Sequence, residues 1–193
     1  MKIFAFLSIL TLLTSGCSTI RTTHHSVGLQ PPLCEEKTSQ INAAVFWNTV
    51  WRQDQKEPQI REEMLSTALE RFFAGTGCYR AQNLIRQING RSALLATDTE
   101  ILSVADSSGA DKAIVIKFME AGPNLILYLS PILWQTRNEI RMNVRIIDVK
   151  SRTIEADIST HRFRGGPFTM IGADSLPLDI TGSLQEVFTG TDR

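Results

Sequence analysis

The sequence predicts an α+β fold, an α/β sandwich in which one mixed β-sheet ends in an antiparallel hairpin and carries about three helices on it. Three observations predict it. Glu139 to Val149 alternates Ile140, Met142, Val144 and Ile146 with Arg141, Asn143 and Arg145, which is the period of a strand with one buried face. Ile60, Met64, Leu65, Ala68, Leu69, Phe72 and Phe73 recur at the spacing of an amphipathic helix. Between the predicted helices run short β-branched segments bounded by turn residues, the arrangement of crossover units whose right-handed connections make their strands parallel.

Taken in order, the chain opens on Met1-Lys2 and an uncharged apolar run, Ile3 to Leu13. That run is shorter than the roughly 20 apolar residues a bilayer span requires, so it reads as a signal segment of residues 1–16. Leu12-Leu13-Thr14-Ser15-Gly16-Cys17-Ser18 closes it. The pattern resembles the lipobox of bacterial lipoproteins, which implies that Cys17 is acylated and the residues before it are removed. By the sorting rule of such lipoproteins, Ser18 rather than Asp after the cysteine implies the outer membrane. Residues 17–33, rich in Ser, Thr, His and Gln and ending in Pro31-Pro32, read as a lipidated flexible tether. As a coil it would reach roughly 20 Å. The rest, 34–193, reads as one globular domain.

Within that domain Ile41 to Trp51 is aromatic and β-branched, as in a buried central strand. Pro58 signals the start of a helix over 59–74, which Gly75 or Gly77 ends. Cys78 to Ile88 reads as a second strand before the turn Asn89-Gly90. Thr97-Asp98-Thr99-Glu100 is a capping box opening a second helix. Ala110 to Phe118 is a third, largely buried strand. Gly122-Pro123-Asn124 reads as a turn, and Leu125 to Trp134 as an apolar extended segment. Lys150-Ser151-Arg152 turns the hairpin, whose return strand, Thr153 to Arg164, places Ile154, Ala156 and Ile158 inward. Asp174 or Ser175 caps a last helix with Pro177 in its first turn and Leu178, Ile180, Leu184, Val187 and Phe188 along it.

The totals exclude several function classes. Basic and acidic residues balance at twenty each, and losing Lys2 with the signal segment leaves a net charge of minus one. A chain without a basic field is a poor fit to nucleic acid or to a polybasic grip on anionic lipid. Three cysteines are present. With Cys17 lipidated, Cys34 and Cys78 are an even pair in an oxidising compartment, which reads as a disulfide; two buried thiols or a metal pair are the alternatives. His24-His25 matches no standard zinc spacing.

A further resemblance runs from Ala110 to Phe188. Gly109-Ala110-Asp111 before a strand, Trp134 before an Arg/Asn-rich segment, Glu139 to Val149, the following hairpin and a Leu-rich terminal helix are similar to an uncharacterised family of small proteobacterial lipoproteins. The layout also resembles the TolB N-terminal-like fold of periplasmic lipoproteins such as the cell-wall synthase activator LpoB. The turn Lys150-Ser151-Arg152 lacks the family's usual Gly. The resemblance implies a fold and an anchor, and no activity.

No Gly-x-Ser-x-Gly elbow, phosphate loop or paired-carboxylate signature occurs, so the expectation is a non-enzyme with no catalytic residues, no cofactor and no metal. His161 reads as an exposed strand position. The most suggestive partner surface is Arg162-Phe163-Arg164-Gly165-Gly166-Pro167-Phe168, since arginine and aromatics are favoured at interfaces. The face of Arg141, Asn143 and Arg145 is a second. The expected role is a binding or assembly accessory of the envelope, outer-membrane anchored and facing the periplasm, with an envelope protein as partner. A regulator of a cell-wall enzyme and a small-ligand or lipid carrier are the alternatives.

Overall fold

In the computed structural model, which describes residues 18–34, 40–127, 134–166 and 169–190, the first element is a strand. β1 (Thr19–Gly28) pairs antiparallel with β8 (Ile154–Gly165) along its whole length. This corrects the tether: the folded unit begins at Thr19 and not at residue 34. Nearly every β1 side chain is exposed, so no period-2 apolar signal marks it. What holds it is the backbone ladder to β8, helped by its β-branched threonines. The expected signal segment and Cys17 lie outside the described residues.

β2 (Ile41–Thr49) is the buried central strand the sequence predicts. It pairs in parallel with β3 (Tyr79–Ile85) and with β6 (Lys112–Leu127). β7 (Trp134–Asp148) pairs antiparallel with β6 and β8, giving one six-stranded mixed sheet in the order β1-β8-β7-β6-β2-β3. β4 (Gln87–Ile88) and β5 (Arg91–Ser92) make a separate small hairpin. Its turn is Asn89-Gly90, both residues at positive φ, the conformation a two-residue hairpin requires.

α1 (Pro58–Gly75) and α3 (Leu176–Phe188) cover one face of the sheet. Leu65, Leu69, Phe72, Leu184 and Phe188 pack there on Val45, Trp47, Ile116, Met142 and Val144. α2 (Asp98–Ser107), with the capping box at Thr97 and Glu100 formed in both directions, covers part of the other face through Ile101 and Ala105 on Phe46 and Val115. Three apolar positions expected inside are exposed. Ile60 gives way to Arg61, whose Nε donates to the Lys56 carbonyl and whose Nη1 donates to the Ala121 carbonyl. Ile154, the first residue of β8, is 53% exposed. Leu178, on the outer side of α3, is exposed as well.

The expected turn Gly122-Pro123-Asn124 is instead continuous strand: Gly122 pairs with Glu139, Pro123 with Asn138 and Asn124 with Arg137. β2 stops at Thr49, opposite Phe118, so from there onward β6 is an edge on that side and tolerates a proline. Gly122, at φ 148°, is where the guanidinium of Arg61 approaches the backbone; a Cβ there would collide with it. A bulge at Met119 precedes this stretch. The apolar segment Leu125 to Trp134 is strand backbone at 125–127 and at 134, and residues 128–133 lie outside the described residues. At the far end of the sheet the carboxyl of Asp148 accepts from Lys112 Nζ and from the Ser151 N–H, which hold it well below the usual carboxylate range and fix the β7–β8 turn.

Cys34 and Cys78 are bonded, with Cα atoms 5.7 Å apart. Ile41 and Tyr79 are register partners, so the segments preceding β2 and β3 meet at one end of the sheet.

Candidate functional site

α2 covers only part of its face. Beyond it, the strands β6, β7, β8 and β1 present side chains with no helix over them among the described residues, and these gather around Glu139. Glu139 is 3% exposed yet carries a carboxylate. Its Oε1 accepts from Arg141 Nε at 2.6 Å and from His161 Nε2 at 2.8 Å, while Oε2 accepts from Asn124 Nδ2 at 2.9 Å and faces Arg137 Nη2 at 3.4 Å. Burial pushes this carboxyl up; the hydrogen bonds from Arg141 and Asn124 and the charges of Arg141 and Arg137 outweigh it and hold the group below its ordinary value of 4.5. Phe163, beside His161, takes the Arg137 guanidinium over its ring at 5.5 Å. Next to this network lies a shallow depression of about 390 Å³ lined by Thr23, His25, Met119, Arg141, Ser159 and His161.

The period-2 geometry explains the convergence. Residues 137, 139 and 141 of β7 point to one side, as do 161 and 163 of β8, and Glu139 is the register partner of Phe163 and Arg141 of His161. Arg141 keeps about half its side chain in solvent while its Nε is spent on Glu139. The arrangement is suited to presenting a fixed guanidinium edge, an imidazole and a phenyl ring to another molecule. Beside it, Ser159 Oγ accepts a hydrogen bond from Asn143 Nδ2 at 3.3 Å.

Of the residues singled out from the sequence, Arg141 and Phe163 lie here. Arg145 does not: α2 reaches it through Asp98, 2.6 Å from its Nη2, in a neighbouring hollow. Arg162 and Arg164 point to the opposite face, under α3, because alternate residues of a strand face opposite ways. Arg162 is 4% exposed and ion-paired with Glu186, and Arg164 pairs with Asp179 at 2.8 Å, so neither forms part of a partner surface with Phe163. Phe168 lies outside the described residues. His161, read as exposed, is half-buried by its bond to Glu139. His24 and His25 point to opposite faces of β1, His24 to Thr160 Oγ1 at 3.1 Å and His25 into the depression. No group of three or more metal-ligating side chains occurs among the described residues.

Glu139 and Asn124 were not legible as site residues, because Asn124 and His161 join from other strands and only Arg137 and Arg141 are related to Glu139 by sequence spacing. The same holds for a second polar cluster at the carboxyl end of β2. There Glu62 accepts from Arg86 at 2.6 Å, Thr49 at 2.8 Å and Trp51 Nε1 at 3.2 Å, and Arg86 stacks on the buried Trp47 ring at 4.6 Å.

Glu139→Gln tests the centre of the network. It leaves Arg137 and Arg141 facing a neutral amide, and the domain is expected to lose about 1–3 kcal/mol at pH 7. The native carboxyl titrates below 4.5. Its contribution is therefore complete above that pH and is lost as pH falls through the depressed native value. Urea titrations between pH 3 and 7 should show the gap between wild type and variant closing toward acid; a constant gap would refute the electrostatic account.

No family model matches the sequence, and no curated protein matches it. Among solved structures the chain is similar to a PelC dodecamer from Paraburkholderia phytofirmans, at a TM-score of 0.44 and 15% identity over 87% of this chain and 95% of that one. It is similar to lipoprotein GNA1162 from Neisseria meningitidis, at a TM-score of 0.44 and 13% identity over 76% and 96%. It is also similar to the LpoB C-terminal domain from Salmonella enterica, at a TM-score of 0.34 and 15% identity over 66% and 86%.

Proposed function

We propose that this chain is a lipid-anchored accessory protein of the bacterial envelope that binds a protein partner through the uncovered face of its sheet and performs no catalysis. The single observation that carries the reading is the network around Glu139: a nearly buried carboxylate that saturates itself with the arginines and histidine of its own face. Such a network fixes Arg141, His161 and Phe163 in place, and preorganised arginine and aromatic side chains are what protein interfaces use. The lipobox ending in Cys17 supports the anchor, and the Cys34–Cys78 bond supports an oxidising compartment. Ser18 after the cysteine supports an outer-membrane address, with the domain in the periplasm.

Two measurements test it. Cys17→Ala should move the protein from the membrane fraction to the soluble periplasmic fraction; a variant that stays with the membrane after a salt wash would refute the anchor. A photo-crosslinking residue in place of Ser159 of the lipidated protein should give one discrete protein adduct in cells. Arg141→Glu should reduce that adduct at least tenfold, since like or mispaired charge at an interface costs more than about 1.4 kcal/mol. An adduct pattern indifferent to Arg141 would refute the partner surface.

A further inference from the structure

The parallel part of the sheet changes faces between β2 and β3. From the carboxyl end of β2 the chain leaves to α1 on one face. From the carboxyl end of β3, its neighbour, the chain passes through the β4–β5 hairpin to α2 on the other. In α/β sheets, ligands gather outside the carboxyl ends of strands at such a point. Here the passage to α2 overhangs a hollow of about 280 Å³. Leu94 and Ile101 line it from above, and Lys117 of β6, Asn143 and Arg145 of β7 and Asp157 of β8 line it from the sheet. Lys117 is the register partner of Asn48, next to the last residue of β2. The overhang is fixed in place. Ala93 N–H donates to the Arg86 carbonyl at 2.9 Å, and Asn48 Nδ2 donates to Ser92 Oγ at 2.8 Å.

Two charges in this hollow have no counter-ion among the described residues. Lys117 is half-buried, and its register partners, Asn48 and Asn143, are both neutral. Asp157 is half-buried as well. Its register partner on β7 is Arg145, the cation that would ordinarily neutralise it, and its partner on β1 is Val27. α2 takes Arg145 away: Asp98 Oδ1 accepts from Arg145 Nη2 at 2.6 Å. Asp157 keeps only a neutral donor, Asn143 Nδ2, 2.6 Å from its Oδ1. Lys117 and Asp157 stand two strands apart, about 10 Å between backbones, and no ion pair joins them. The hollow thus holds a cation at one end, an acid at the other and Asn143 between them.

We propose that this hollow binds a small zwitterion of amino-acid to dipeptide size, whose carboxylate rests on Lys117 and whose ammonium rests on Asp157. A half-buried charge without a counter-ion has lost part of its water and gained nothing for it. A ligand that brings both opposite charges repairs both ends at once, whereas a simple anion or cation is repelled at one of them. The volume lies just below that of pockets for drug-sized ligands, which sets the size of the occupant. Leu94 and Ile101 supply apolar cover for its carbon atoms. The site is separate from the Glu139 network, and it depends neither on the lipid anchor nor on the partner surface.

Glycylglycine is the probe, titrated into the full-length protein in detergent micelles while the amide NMR resonances are followed. Those of Leu94, Lys117, Asn143 and Asp157 should shift together to saturation. N-acetylglycylglycine lacks the ammonium and glycylglycinamide lacks the carboxylate; each should bind roughly tenfold or more weakly than glycylglycine. Lys117→Met should weaken glycylglycine by a similar factor, and so should Asp157→Asn, which keeps an acceptor for Asn143. Neither variant should lower the melting temperature, since neither removes an ion pair. Lys117→Met should also cease to distinguish glycylglycine from its amide, because the two changes remove one interaction. Three peptides that bind wild type alike, or variants that bind glycylglycine as wild type does, overturn the proposal. So does the absence of saturable shifts at these residues. Tightest binding of the amide would make the hollow a cation site and tightest binding of the acetylated peptide an anion site; either result overturns the zwitterion.

Discussion

Arg162→Leu is expected to lower the unfolding free energy by about 3–5 kcal/mol. Arg162 lies between the sheet and α3, where its Nη1 donates to Glu186 and reaches Thr22 Oγ1 at 3.4 Å. Glu186 keeps only 12% of its side chain in solvent. Without the guanidinium, its carboxylate must be protonated, drag in water or pull the helix end outward. Gly182 shows how closely α3 is fitted to the arginine: a Cβ there would stand 2.9 Å from Nη2 and 3.1 Å from Cζ. Arg162→Lys keeps a charge but not the planar fork, so it should recover part of the loss. The double variant Arg162→Leu/Glu186→Leu removes both charges and should be far closer to wild type than the single one. Urea unfolding of the four proteins decides the matter. A single-variant loss under about 1 kcal/mol would show that the pair is not what couples α3 to β8.

Cys34→Ser is expected to cost about 4 kcal/mol, the loop-entropy value for cysteines 44 residues apart. The native contacts of this segment do not need the sulfur. Leu33 N–H donates to the Val187 carbonyl at 3.1 Å, and Cys34 N–H donates to the Phe188 carbonyl at 2.7 Å. The loss therefore arises chiefly in the unfolded chain, which gains freedom when the bond is absent. Cys34→Ser, Cys78→Ser and the double variant should then be equally destabilised, as for two residues that share one interaction. Membrane attachment should not change in any of them. A double variant markedly worse than either single one would mean that each cysteine packs independently.

The fold was legible wherever burial is periodic. Val45 to Trp47, the stripe from Leu65 to Phe73 and the alternation from Ile140 to Ile146 each face a core, and each announces itself. β1 was not legible, because an edge strand with solvent on most of its side chains needs only a neighbour's backbone, and the neighbour is more than a hundred residues away in sequence. Gly122-Pro123-Asn124 misled for the opposite reason: its local turn chemistry is real, but the lost β2 pairing and the Arg61 contact make both glycine and proline compatible with a strand. At the candidate site Arg141 and Phe163 could be picked out as residue types. Their separation from Arg162 and Arg164 depended on strand phase, which places neighbours in sequence on opposite faces of the sheet. Glu139 was the residue least visible from sequence, since its role is defined by partners on β6, β7 and β8.

The start of β1 only two residues after Cys17 in sequence also has a mechanical meaning. If Cys17 carries the proposed lipid, a pull on it would act along the axis of β1 and load the ten rungs to β8 together in shear rather than peel them one at a time. Under the proposed anchor the sheet edge would serve as a stiff coupling between membrane and domain. If that ladder yields, the freed chain runs only as far as Cys34, where the covalent link to Cys78 stops it. Between those limits an anchored domain would gain a reach of about 60 Å, at up to 3.6 Å for each of seventeen residues, without losing its core.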